Sequence, residues 1–238
     1  MDLNKLWVFG DSFDYGYELT DENHEYYKKF KTPEGKHYTE HIAYRYNLKI
    51  ENLSAPGYGS SNILYLLSKG LPHIKEDDYV ILHTSDSNRL TGFEPRNGGH
   101  PFQLAALSIW YSKSDEEIMN FIKTSYLQTF SKFIVDCIDP IHHYFDEFYY
   151  QIFFNVLTSI KCKKKFAYTT EEWNKYETIN QHTLGEINDN HWSYNGHREF
   201  ADRIISTWEL TDFEFKPHSY NLRFIEYPLE LKKKSTIL

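Results

Sequence analysis

Two cysteines in 238 residues, Cys137 and Cys162, cannot build a disulfide scaffold, and no Cys-x-x-Cys pair offers a zinc knuckle or a redox motif. Both read as reduced thiols. No uninterrupted apolar stretch approaches the roughly 18 residues that a membrane span needs, and the first strand candidate starts near residue 5, too early for a charged and then apolar leader to precede it. No membrane span and no secretory signal are expected, so the chain is read as cytoplasmic, with export by a route other than Sec left open. Basic charge is in deficit: 26 Lys plus Arg stand against 34 Asp plus Glu, a formal net charge of −8, which disfavours nucleic acid as the main partner. Phosphate-binding signatures are missing, with neither G-x-x-x-x-G-K-[ST] nor a G-x-G-x-x-G after a strand, and there is no G-x-S-x-G nucleophile elbow. No H-E-x-x-H occurs among the 12 histidines, so neither metal nor cofactor is expected. The alternative ligand set is Asp189, His191 and His197, with His83 or His182.

What the chain has in quantity is aromatics, 18% of residues with 20 Tyr and 17 Phe, inside a hydrophobic fraction of 40% that suits one buried core. Short apolar runs alternate with helical periods. Strand, helix and strand fall at about residues 5–9, 37–46 and 48–53, followed by a helix over 60–74 with Leu64, Leu67 and Leu71 on one face, and a buried strand at 79–83. Period then lapses over 90–114, where Gly92, Pro95, Gly98, Gly99 and Pro101 predict a long loop insertion. Ile118, Phe121, Ile122, Leu127, Phe130, Phe133 and Ile134 predict a helix over 115–137, and another is expected over 140–160. A strand at 165–169, a loop over 170–190 carrying Trp173 and His182, and a helix over 194–208 complete the domain. Residues 209–238 read as a polar and aromatic tail packing on it. This alternation predicts an α/β fold, a three-layer α/β/α sandwich with a mainly parallel sheet, whose site residues collect at the carboxyl ends of the strands.

The chemistry-bearing candidates lie at those ends. Leu6-Trp7-Val8-Phe9-Gly10-Asp11-Ser12-Phe13-Asp14 sets a serine just past a strand, where the first N–H groups of a helix could stabilise an oxyanion. Asn52-Leu53-Ser54-Ala55-Pro56-Gly57 follows the second strand, and His83-Thr84-Ser85-Asp86-Ser87-Asn88-Arg89 follows the third. Asp189-Asn190-His191-Trp192-Ser193-Tyr194-Asn195-Gly196-His197 opens the last helix. Residues two apart in an extended loop point the same way, so Asp189 can reach the His191 imidazole.

In their order and spacing these four segments resemble the four blocks of the SGNH (GDSL-type) hydrolase superfamily. The resemblance implies a flavodoxin-like SGNH fold and a serine esterase: Ser12 as nucleophile, His191 as base and Asp189 as the acid that orients it. Ser12, Gly57 and Asn88 correspond to the oxyanion donors; a one-residue slip in the third block would put Ser87 in the last place, and Asn88 is preferred because its side-chain amide is the donor the family uses there. It implies a small-molecule or glycan ester as substrate, with a carbohydrate ester preferred. The same triad serves an O-acyltransferase if an alcohol replaces water, and the degenerate third block leaves a non-catalytic carbohydrate-binding or assembly module as the competing reading. Oligomeric state is not legible.

Overall fold

The computed structural model describes residues 3–30, 36–56, 58–84, 142–169, 172 and 175–215, together with 89–94 and 100–106; of 89–94, 100–106 and 142–148 it describes the backbone alone. From the amino end come β1 (Lys5–Phe9), three short helices α1 (Ser12–Tyr15), α2 (Tyr17–Thr20) and α3 (Glu25–Phe30), and then α4 (Tyr38–Tyr46) and β2 (Lys49–Asn52). Next come α5 (Ser60–Gly70), β3 (Tyr79–Thr84) and the ribbon strands β4 (Arg89–Glu94) and β5 (His100–Ala106). The described chain ends with α6 (His142–Ser159), β6 (Lys164–Thr169), the single turn α7 (Ile179–His182), α8 (Tyr194–Leu210) and β7 (Phe213–Phe215).

Five strands form one sheet in the order β2-β1-β3-β6-β7, every neighbouring pair parallel. Parallel strands need crossover helices, which cover both faces of the sheet, so the central strands β1 and β3 are buried on both sides. Alternation sorts the side chains. Leu6, Val8, Tyr79, Ile81, Phe166 and Tyr168 face α4 and α8, meeting Ile42, Phe200 and Ile204. Trp7, Phe9, Val80, Leu82 and Ala167 face the other way, onto Ile63 and Leu67 of α5 and Phe153 and Leu157 of α6. The result is the three-layer α/β/α sandwich that the periodicity predicts. Because β2 lies on one side of β1 and β3 on the other, the strand order reverses at β1, which puts the topological switch point of the sheet at the carboxyl ends of β1 and β3.

Local chemistry fixes where the helices begin. His37 caps α4 with its Nδ1, which accepts from the Thr39 amide, while its Nε2–H donates to the Phe13 carbonyl at 3.1 Å and ties α4 to α1. Ser193 caps α8 through an Oγ that accepts the Gly196 N–H at 3.2 Å. Gly196 has to be glycine, because a Cβ there would run into the backbone carbonyl of Glu177. Since that backbone cannot step aside cheaply, Gly196→Ala is expected to cost about 1–3 kcal/mol, which thermal unfolding would register as a lower Tm; an unchanged Tm would disprove the close approach.

Two stretches differ from expectation. Within the 90–114 region the structure has an antiparallel ribbon, Arg89↔Ala106 to Glu94↔His100, with a register shift between Leu90 and Thr91. The shift breaks the simple alternation that would have revealed the strands, and Gly92 and Pro101 within them read as punctuation. In the tail, Phe213–Phe215 pairs parallel with β6 as an edge strand, so the sheet extends past residue 208. Three residues are too few to show a period. The expected helix over 115–137, and 216–238 of the tail, lie outside the described residues. Among the described residues, no helix is long and apolar enough to cross a membrane.

Candidate active site

Gly10 ends β1, and the chain turns directly into α1 with Asp11 as N-cap. Asp11 Oδ1 accepts the Phe13 N–H at 3.0 Å, and Asp14 Oδ2 accepts the Asp11 N–H at 3.2 Å, a reciprocal box that satisfies two of the helix's orphan donors. A Cβ on Gly10 would fall inside the Asp14 carboxylate, so glycine is what lets this box close. Gly16, at φ 71°, ends the helix in the left-handed region. Ser12 is thereby set at the first helical position, 8% exposed, with an N–H that has no partner within the helix. Asn52 at the end of β2 donates through Nδ2 to the Asp14 carbonyl at 2.6 Å, which fastens the second segment to the first.

His191 and Asp189 sit on the loop before α8, held against α7: the Ile179 N–H donates to the His191 carbonyl at 2.8 Å and the Asn180 N–H to the Asp189 carbonyl at 2.9 Å. Asp189 Oδ1 lies 2.6 Å from His191 Nδ1 and accepts the His191 N–H at 2.8 Å. The imidazole packs on Phe13, the residue after Ser12, with ring centroids 4.6 Å apart, so the loop is brought to the α1 turn. Its Nε2 is buried and, among the described residues, has no hydrogen-bond partner, Ser12 Oγ included. Burial works against charge on His191, yet its bond to Asp189 and the nearby carboxylates of Glu18 and Asp11 lift its pKa above the ordinary 6.5. Burial likewise opposes ionisation of Asp189, but the His191 side chain and amide, with His24 beyond, hold it at about 2. A carboxylate that stays charged beside an imidazole favours the Nδ1–H tautomer and leaves Nε2 as the basic nitrogen. Gly57, Ser87 and Asn88 fall outside the described residues.

Three features of the site have no pattern in the sequence that announces them. His24 Nε2 lies 3.0 Å from Asp189 Oδ2. Glu18 and His197, both fully buried, share a proton across 2.7 Å; burial pushes Glu18 up to about 7 and His197 down to about 3. Asp14 is a hub for Tyr38, Tyr168 and His83. Each is a long-range pairing of residues that are individually unremarkable as cap, helix or strand positions.

The alternative ligand set does not converge: among the described residues, the His, Asp and Glu atoms that gather within 4.8 Å of one another belong to Asp11, Asp14 and His83 instead. Burial disfavours a charged His83, but Asp11 and Asp14 outweigh it and hold the imidazole cationic to about pH 9. His197 is engaged by Glu18, and His182 Nδ1 by Glu177 at 3.0 Å.

Fold and site together define a doubly wound α/β domain with an imidazole–carboxylate pair at its switch point. No family model matches the chain, and no curated protein does. Among solved structures, it is similar to a member of the lipolytic protein G-D-S-L family from Veillonella parvula at 13% identity, over 87% of this chain and 99% of that one, with a TM-score of 0.38. An acetyl xylan esterase aligns at 13% identity over 85% of this chain and 98% of its own, with a TM-score of 0.35. Superpositions this loose carry no weight for the chemistry, which rests on the residues themselves.

Proposed function

We propose that this protein is a serine esterase in which Ser12 is the nucleophile, His191 the general base and acid, and Asp189 the group that orients His191. One observation carries the reading. His191 is buried against the residue next to Ser12, with Nδ1 on Asp189, and among the described residues nothing bonds its Nε2, which leaves that nitrogen available to take a proton. In the first half-reaction Ser12 Oγ bonds to the acyl carbon while its proton passes to His191 Nε2. The tetrahedral oxyanion collapses, the ester C–O bond breaks, and the same proton leaves with the departing oxygen as an alcohol. Water then attacks the acyl-Ser12 ester and gives a proton to His191, which returns it to Ser12 Oγ as the carboxylic acid departs. The Ser12 and Gly57 amides, with Asn88 or Ser87, are the proposed oxyanion donors, each worth roughly 10²–10³ in turnover.

The substrate class is a small or carbohydrate acyl ester. The half-buried Tyr17 ring stands edge-on to His191 at 5.0 Å, an apolar face with its hydroxyl on the Nδ1 side of the imidazole. A fluorophosphonate probe tests the enzyme reading. Wild-type protein is expected to take up the probe on the peptide containing Ser12, and Ser12→Ala to take up none. A folded wild type that stays unlabelled would overturn the proposal in favour of a binding module.

pH dependence follows from the His191 environment. With its pKa raised above 6.5, kcat/KM for p-nitrophenyl acetate should fall on the acid side with a midpoint above 6.5. Asp189→Asn removes the group that raises it and should move that midpoint downward. A midpoint indifferent to Asp189 would separate the two residues functionally.

A further inference from the structure

His24 stands outside every sequence segment singled out above, 165 residues from the acid it meets. Its tautomer is set locally: Nδ1 accepts the Tyr26 N–H at 3.2 Å, so the ring proton sits on Nε2, which faces Asp189 Oδ2 at 3.0 Å. Asp189 therefore has an imidazole on each carboxylate oxygen, His191 on Oδ1 and His24 on Oδ2, and both His24 and Asp189 side chains are only 13% exposed. Tyr17 bridges the two histidines, its ring edge-on to each at 5.0 Å and its hydroxyl 3.4 Å from His191 Nδ1.

The element that follows His24 is fastened to the same loop. Tyr26, 1% exposed, packs with Ile179 and Ile187, and its hydroxyl accepts the Tyr194 N–H at 3.3 Å. Lys29 pairs with Glu186. These contacts hold α3 against the segment that carries Asp189 and His191, with His24 at the end nearest the carboxylate.

We propose that His24 is a positioning residue for the Asp189–His191 pair, clamping Oδ2 so that Oδ1 stays aligned with His191 Nδ1. The terminal torsion of an aspartate is broad, so one anchored oxygen leaves the other free to swing. Anchoring both removes that freedom and keeps the His191 proton on Nδ1. His24 touches no reacting atom and acts through Asp189. The kinetic part of this inference rests on the esterase reading; the structural part does not.

The test compares wild type, His24→Phe, which keeps a ring without a donor, and His24→Gln, which returns an N–H near the position of Nε2. Loss of alignment of this kind is expected to lower kcat for p-nitrophenyl acetate about 10- to 100-fold in His24→Phe with KM unchanged, and His24→Gln to recover most of it. By proton NMR, the downfield His191 Nδ1–H resonance of the wild type should shift or broaden in His24→Phe and return in His24→Gln. Unchanged kcat and an unchanged resonance in His24→Phe overturn the proposal. Nitrogen-15 NMR of the wild type decides it without any variant: His24 must carry its proton on Nε2, and a proton on Nδ1 overturns the clamp. Should wild type turn over no ester, the esterase reading fails, while the two NMR measurements still decide whether His24 holds Asp189.

Discussion

Replacing His191 by alanine is expected to lower kcat for ester hydrolysis on the order of 10⁴- to 10⁶-fold, because a nucleophile without its base retains only what binding and oxyanion donors supply. Asp189→Asn should cost roughly 10⁴-fold, since an amide facing His191 Nδ1 can present its own N–H and favour the wrong tautomer. Nucleophile, base and acid act as a unit, so Asp189→Asn combined with His191→Ala should be no slower than His191→Ala alone. The loop should survive either change: its ties to α7 run through the backbone carbonyls of residues 189 and 191, and Trp192, fully buried, still anchors it. Steady-state kinetics beside a circular dichroism spectrum checks this. Turnover that persists in a folded His191→Ala protein would remove His191 from the mechanism.

Asp14→Asn is expected to be the most destabilising single-atom exchange in the site. Asp14 Oδ1 accepts the Tyr38 hydroxyl at 2.5 Å and the Tyr168 hydroxyl at 2.6 Å, and Oδ2 takes His83 Nδ1 at 3.0 Å and the Asp11 N–H at 3.2 Å. One carboxylate thus joins α1, α4, β3 and β6, with every side chain involved buried. An amide must aim its NH₂ at groups that donate, and it leaves the cationic His83 with less compensation. Breaking one partner of a buried charged pair typically costs about 3–5 kcal/mol. For a chain of this size that corresponds to a fall in Tm of about 10 °C. The hub also has a pH signature. His83 is raised in the folded protein to about 9, so its contribution to stability is fully present below its unfolded value near 6.5 and is lost as pH rises through 9. Thermal unfolding across pH 6–10 should show that decline in wild type and a flatter line in Asp14→Asn. A wild-type Tm that is level over this range would mean that His83 is neutral.

How much of this was legible beforehand depends on range along the chain. The segments read at 5–9, 37–46, 60–74 and 79–83 announce themselves, the structure having Lys5–Phe9, Tyr38–Tyr46, Ser60–Gly70 and Tyr79–Thr84, because burial on a sheet or against it imposes a period on nearby residues. The Asp189–His191 contact was readable for the same reason, since two residues apart in an extended loop is a local relation. Block order suggested that this loop and Ser12 meet; the contact the structure has is between His191 and Phe13, the next residue. The ribbon of β4 and β5 was not readable, because its register shift and its Gly and Pro residues mimic a loop. Neither was β7, whose three residues become a strand only because β6 is there to pair with.

The order of residues alone therefore determined the layered α/β architecture, the turn that presents Ser12 and the pairing of Asp189 with His191. Each follows from backbone geometry and hydrophobic period over a few residues. Only the tertiary structure decided which buried polar groups meet: His83 with Asp14 from 69 residues away, His24 with Asp189 from 165 and His197 with Glu18 from 179. It also decided their charge. The environments of His83 and His197 hold one imidazole cationic and the other neutral. A histidine's protonation depends on whether folding brings a carboxylate close enough to outweigh the loss of water, and that distance is set by the sheet and helices between them.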